Sequence, residues 1–452
     1  MMMQLSIGGI LIVIILATIT PRINGLENEI IQQVLDSYGD TNQCQRPNIV
    51  FILTDDQDTH LNSLDYMPHV KRHLLDKGTL FRNHYCTTAV CCPSRVTLWT
   101  GKMAHNTNIT DVNPPYGGYP RFVEEGFNEN YLPVWLQQAG YNTYYTGKLF
   151  NVHTVTNYDS PEAAGFTGSD FLLDPFTYNY LNSTFQRKGE KPKSYEGGYS
   201  TDIMSQKAQS LLQDAVVAET PFFLTIAPIA PHGNIHMNGS ALDSNPVFEH
   251  TAPVSAKRHQ ELFKDVIVPR TQNFNPETPS GANWILDLPQ QSTSNVEYND
   301  HYHRQRLRSL QAVDELVDDL FVKLEEYGIL NNTYVFYSSD NGFHIGQHRL
   351  QPGKSCGYEE DVNIPLIVRG PGVAANHTTE IVTSHTDLAP TFFKILGISS
   401  RDDFDGTAIP MTLEGIESVS RMRREHVAIE YWGYAGGEGI YDREIPRFSF
   451  AF

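Results

Sequence analysis

Four short apolar runs, each stopping at a polar cluster, constrain this chain more than any other feature. Asn48-Ile49-Val50-Phe51-Ile52-Leu53 ends at Thr54-Asp55-Asp56, and Tyr141-Asn142-Thr143-Tyr144-Tyr145 ends at Thr146-Gly147-Lys148. Phe222-Phe223-Leu224-Thr225-Ile226-Ala227 runs into Pro228 and then Pro231-His232, and Tyr334-Val335-Phe336-Tyr337 ends at Ser338-Ser339-Asp340-Asn341-Gly342. Runs rich in β-branched and aromatic residues, without strict alternation, suit strands buried on both faces, as in a parallel sheet covered by helices. Leu307, Leu310, Val313, Val317, Leu320, Phe321 and Leu324 recur at helical spacing and Gly328 closes the segment, which predicts a crossover helix ahead of the Tyr334 strand. The architecture is α/β, and in such sheets ligands bind beyond the carboxyl ends of the strands, where these polar clusters converge.

The chemistry available there is specific. Asp55, Asp56, Asp340 and Asn341 offer only hard oxygen ligands from two distant strand ends, an inventory that suits Ca²⁺ or Mg²⁺ better than zinc. Lys148, His232 and Lys354 add the cationic and proton-carrying groups needed to hold a tetrahedral oxyanion and protonate a leaving oxygen. Together they point to a metal-dependent ester hydrolase.

Charge narrows the partners. The 452 residues carry 33 Lys plus Arg against 52 Asp plus Glu, a net charge of −19, and no basic block stands out. An electrostatic footprint for nucleic acid is missing, and long polyanions are disfavoured. The apolar run Leu5 to Ile19 is short for a bilayer span, and Ile23-Asn24-Gly25 follows as a small-residue cleavage site, so residues 1–25 read as a secretory signal peptide. The absence of Lys or Arg before Leu5 keeps an uncleaved anchor open. Sequons at Asn108, Asn182, Asn238, Asn331 and Asn376 fit a glycosylating compartment. Cysteines at 44, 86, 91, 92 and 356 make an odd number in an exported chain, so one of them need not remain a thiol.

Cys91-Cys92-Pro93-Ser94-Arg95, followed by Thr100-Gly101, resembles the sulfatase signature. The resemblance runs from about Pro47 to about Pro410: Asn48 to Asp58 looks like the first metal strand, and Thr146-Gly147-Lys148 like the sulfate-binding lysine segment. Ala230-Pro231-His232 matches the Ala-Pro-His motif, Ser339-Asp340-Asn341-Gly342 the second metal strand, and Lys354 the lysine after it. Thr54 to Asp58, the paired cysteines and Asn341 to Gln347 resemble the branch of N-acetylglucosamine-6-sulfatases and fungal arylsulfatases. The resemblance implies an alkaline-phosphatase-like fold with a large mixed sheet flanked by helices, and one calcium ion held by Asp55, Asp56, Asp340, Asn341 and residue 91. It also implies conversion of Cys91 to formylglycine by a formylglycine-generating enzyme during export.

It further implies an arylsulfatase. A hydrated aldehyde at 91 offers two geminal hydroxyls, one to attack sulfur and one to expel sulfate. Arg95 holds the hydrate, Lys148 and Lys354 bind sulfate oxygens, and His232 protonates the leaving alcohol. Many members carry a histidine two positions after the lysine equivalent to Lys148; here Phe150 stands there, Asn151 resembles the glucosamine-6-sulfatase branch, and His153 and His344 are the alternatives as base, His344 first. Residues 46–400 form the expected catalytic domain and 401–452 a partial, antiparallel C-terminal subdomain. The expected substrates are small aryl sulfates, without stable membrane association, in a secreted or lysosomal or vacuolar enzyme. An exosulfatase of the N-acetylglucosamine-6-sulfatase type, a phosphohydrolase of the same fold and a non-catalytic secreted glycoprotein are the alternatives.

Overall fold

The computed structural model describes residues 46–238, 247–422, 426–433 and 436–441. The signal segment expected at 1–25, Cys44, and the tail Phe448 to Phe452 lie outside the described residues.

All four apolar runs become neighbouring strands of one ten-stranded sheet. Asn48–Thr54 lies at its centre, paired in parallel with Thr333–Ser339 on one side and Phe222–Ala227 on the other. Asn142–Lys148 continues the parallel run beside Phe222–Ala227, followed by Gly168–Leu172. Beyond these the sheet is mixed: Leu366–Arg369 pairs antiparallel with Thr333–Ser339 at one side, and Thr184–Arg187 antiparallel with Gly168–Leu172 at the other.

Alternation along the central strand separates two cores. Ile49, Phe51 and Leu53 face one layer with Trp99, Phe223, Phe336 and Phe392, covered by the helices Cys91–Thr100 and Leu388–Ile395. Val50 and Ile52 face the other with Leu224, Ile226, Val335 and Tyr337, covered by Ser200–Val217 and Thr293–Glu326. Phe51 packs against Trp99, Phe392 and Phe336 with ring centroids at 6.0, 5.8 and 6.5 Å. Burying each such ring stabilises the fold by about 1.5–3 kcal/mol. Burial on both faces is what the run lacking alternation demanded.

The predicted crossover helix extends far beyond its periodic half: it begins at Thr293, where the Ser292 side chain accepts from Asn295 N–H and Asn295 answers in a capping box. After residue 400, the described chain forms the helix Leu413–Met422, which buries Ile416 in the first core, and a short strand, Gly436–Gly437, paired antiparallel with Gly353–Lys354. Among the described residues no helix is long and apolar enough to cross a membrane.

Candidate active site

The carboxyl ends of the central strands bring the predicted residues together. Asp56 adopts a left-handed backbone (φ 66°), a conformation its short polar side chain tolerates better than most, and this turns the chain sharply out of the sheet. Its N–H donates to Asp340 Oδ1 at 3.0 Å, while Asp340 N–H donates to Thr54 O at 3.1 Å, so the Asp55–Asp56 and Asp340–Asn341 segments fix each other. Arg306, buried on the long helix, braces the turn by donating to Asp56 O at 2.6 Å and to Asp58 Oδ2 at 2.9 Å. Gly147 lets the neighbouring strand approach: a Cβ there would sit 2.1 Å from Ala227 O.

Cys91 is the first residue of its helix, fully buried, with Sγ 3.6 Å from Asp55 Oδ1. One turn later Arg95 donates to Asp340 Oδ2 at 2.8 Å, to Asp55 Oδ2 at 3.4 Å and to Lys148 O at 2.5 Å. Lys148 Nζ lies 2.6 Å from Asp55 Oδ2, and Lys354 Nζ lies 2.6 and 2.7 Å from the two oxygens of Asp56. Burial would raise the Asp55 carboxyl, but Lys148, Arg95 and His232 outweigh it and hold it below the ordinary value. The same pairing keeps Lys148 and Lys354 charged although burial opposes it. Burial pushes both thiols up, Cys91 beyond any useful range and Cys92 to about 12, so neither is a thiolate nucleophile as it stands.

The residues fit a hard dication. One ligand atom from each of Asp55, Asp56, Cys91 and His232 lies within 4.8 Å of the others. Asn341 Nδ2 donates to Asp56 Oδ1 at 2.7 Å, which leaves Asn341 Oδ1 buried without a partner, an orphaned acceptor of the kind a cation satisfies. The ammonium groups of Lys148 and Lys354 stand against the same carboxylates and would be freed toward an anion once a cation took those oxygens.

His232 follows the Phe222–Ala227 strand and stacks on Tyr178 at 4.1 Å. Its Nδ1 donates to Gly233 O at 2.8 Å and its Nε2 lies 3.7 Å from Asp56 Oδ2. With Cys91 and Lys354 it lines a cavity of about 380 Å³ whose outer wall includes Asn151, Asp174, Tyr178 and Glu438. This cavity has room for a sulfate and one small ring. His344 stands behind it: its Nδ1 pairs with Asp361 Oδ1 at 2.7 Å and its backbone is bonded in both directions to Gly353, next to Lys354. Phe150 is buried among Phe122 and its neighbours, and His153 packs on Tyr119 at 4.4 Å with burial holding its imidazole down to about 3.

Tyr178, Asp174 and Glu438 did not stand out in the sequence. Tyr178 and Asp174 carry no local pattern. Glu438 is a carboxylate enclosed by glycines, in Gly436-Gly437-Glu438-Gly439, and that is the one signal that marked it.

A family model described as Sulfatase matches residues 47–398. The chain is 39% identical over 426 residues to an arylsulfatase of Volvox carteri, covering 90% of this chain and 65% of that one. It is 30% identical over 427 residues to the human N-acetylglucosamine-6-sulfatase, covering 92% and 72%. It thus spans somewhat less than two thirds of the algal relative's length. A solved structure in complex with its substrate D-glucosamine-2-N,6-O-disulfate superposes with a TM-score of 0.66 at 24% identity, covering 80% of this chain and 79% of that one, a likeness of fold. With the match extending over most of the chain, from the strand Asn48–Thr54 to just past the helix Leu388–Ile395, this protein belongs to the sulfatase family.

Proposed function

We propose that the protein hydrolyses sulfate monoesters of small phenols and alcohols, as an arylsulfatase-type enzyme carrying formylglycine at position 91 and one calcium ion. The carrying observation is the placement of Cys91 at a helix start, 3.6 Å from Asp55 and enclosed by Arg95, Lys148 and Lys354. Asp55, Asp56, Asp340 and Asn341 would hold the cation, which supplies charge stabilisation for the sulfate oxygens. The aldehyde hydrate at 91 supplies the attacking oxygen that a buried, protonated thiol does not.

The chain's own groups do the rest. Lys148 and Lys354 bind and orient the sulfate, and Arg95 fixes the carboxylates against residue 91. His232, as an imidazolium whose Nδ1–H is held by the Gly233 carbonyl, delivers its Nε2 proton to the leaving oxygen and becomes the neutral Nδ1–H tautomer. His344, with Nδ1 paired to Asp361 and its backbone bonded in both directions to Gly353, positions the neighbouring Lys354.

Cys91 is about 2% exposed, which supports conversion before folding, by a formylglycine-generating enzyme acting on the nascent chain during export. Asn108, Asn331 and Asn376 are exposed, as glycosylation on a secretory route, to the exterior or to a lysosome or vacuole, requires.

The direct test measures inorganic sulfate and phosphate release from 4-nitrophenyl sulfate and 4-nitrophenyl phosphate. Preferential sulfate release, abolished by Cys91→Ala in a folded protein, supports the reading. Faster phosphate release overturns it.

A further inference from the structure

Beyond the Asp55–Asp56 turn the chain packs back on the long helix Thr293–Glu326, and there it gathers a second group of ligating side chains. His69 and His73 lie four residues apart, on the helical turn Pro68–Val70 and the wider π-turn Lys71–Leu75 that continues it, closed by Asp76 N–H on Lys71 O at 2.8 Å. Wide turns of this kind are rare and concentrate at functional sites. His69 Nδ1 lies 3.4 Å from Asp318 Oδ2, and His73 Nε2 lies 2.7 Å from Asp318 Oδ1. One ligand atom from each of the three lies within 4.8 Å of the others. Asp318 stands twelve residues beyond Arg306 on the long helix, about 18 Å along its axis, so the group is separate from the catalytic cavity.

The backbone around these side chains is fixed. Asp314, one turn before Asp318, accepts from the N–H groups of His69 and Val70 at 3.0 and 2.7 Å, and Arg369 donates to His73 O at 2.9 Å. The His73 ring stacks on Phe321 with centroids 4.6 Å apart. Burial would raise the Asp318 carboxyl, but His73, His69 and Arg72 outweigh it and hold it below the ordinary value, so it is an anion. Arg72 is the competitor: its guanidinium bonds Asp318 Oδ1 and reaches His73 Nε2 at 2.9 Å, bringing a cation to the point where imidazole nitrogen and carboxylate oxygen converge. Its side chain is 57% exposed and can turn out into solvent.

We propose that His69, His73 and Asp318 form a zinc site that clips the Pro68–Val70 and Lys71–Leu75 turns to the long helix. Two imidazoles and one carboxylate make a nitrogen-rich donor set, which favours Zn²⁺ over the calcium proposed for the oxygen-lined strand ends. Tetrahedral bonds of about 2.0–2.1 Å put donor atoms about 3.3 Å apart, and the two separations above bracket that value. Zinc displaces Arg72, and each ring gives its lone pair, at His69 Nδ1 and His73 Nε2, while water completes the coordination. None of the three ligands belongs to the catalytic cavity, so the ion acts on stability rather than on turnover, and the site does not depend on the sulfate-ester reading.

The test titrates the calcium-saturated protein with zinc alone and reads bound zinc per chain by equilibrium dialysis, together with Tm, in wild type, the double variant His69→Gln/His73→Gln, and Arg72→Ala. The double variant reports any zinc held elsewhere, the Asp55–Asp56 cluster included. The expected result is one more zinc per chain in wild type than in the double variant, with a zinc-dependent rise in Tm that the double variant loses. Arg72→Ala, which removes no ligand, should bind zinc about threefold more tightly, the worth of one exposed ion pair. Equal zinc uptake by wild type and the double variant, or an Arg72→Ala affinity no tighter than wild type, overturns the site.

Discussion

Replacing His232 by alanine should slow the enzyme unequally across substrates, and the inequality follows from how the imidazole is held. Nδ1–H is tied to the Gly233 carbonyl at 2.8 Å, so in the imidazolium the proton that can leave is the one on Nε2, which sits 3.7 Å from Asp56 Oδ2 at the cavity wall. The ring stacks on Tyr178 at 4.1 Å and so has little freedom to turn away. A nitrophenolate leaves without needing a proton, whereas an alkoxide does not. The loss should therefore be about tenfold or less for 4-nitrophenyl sulfate and roughly 10³-fold, about 4 kcal/mol of barrier, for alkyl or sugar sulfates. The assay is kcat/KM over a series of aryl sulfates of rising phenol pKa, completed by an alkyl sulfate. His232→Ala should steepen the dependence on leaving-group pKa. A uniform loss along the whole series would refute the assignment of His232 as proton donor.

Three further outcomes follow from the same geometry. Chelation should lower activity, recoverable with calcium, and Asp340→Ala should lower it further than Asn341→Ala because it removes a charged ligand that also anchors Arg95 at 2.8 Å; activity indifferent to chelator and to metal would contradict the ion site. Cys92→Ala should keep most of the activity, since Cys92 belongs to the apolar core rather than the cavity, at a stability cost of a small buried side chain read as a lowered Tm. Acid should destabilise the fold: burial holds His153 down to about 3 and His385 to about 4, so below pH 6.5 protons bind the unfolded chain first, and stability present above that pH is lost by about 3 kcal/mol per histidine near pH 4. His153→Leu, at a ring whose two nitrogens have no partner, should flatten the fall of Tm with pH; an unchanged slope would contradict it.

Where the sequence was legible, a periodic pattern and a strand end coincided. The Asn48, Asn142, Phe222 and Thr333 strands could be read because burial on both faces leaves a continuous apolar run, and each run delivers its polar cluster to one edge of the sheet. The long helix was legible only from Leu307 onward. Its earlier turns bury the polar residues Asn295, Asn299, His303 and Arg306, of which Arg306 reaches the Asp56 turn, so the apolar period is lost there. Asp55, Asp56, Asp340, Asn341, Cys91, Arg95, Lys148, His232 and Lys354 come together as their motifs suggested, whereas His344 stands behind the cavity, paired with Asp361. Beyond its flanking glycines, nothing in the sequence placed Glu438, because its position depends on Gly436–Gly437 pairing with Gly353–Lys354 across more than eighty positions of chain, and no local period reports such a pairing.

The central claim is that residue 91 acts as an aldehyde rather than as a thiol. Peptide mass spectrometry of active enzyme across Cys91 and Cys92 tests it directly. The account predicts formylglycine at 91 and an unmodified thiol at 92, with specific activity proportional to the converted fraction from one preparation to the next. An unmodified Cys91 thiol in fully active enzyme would contradict it.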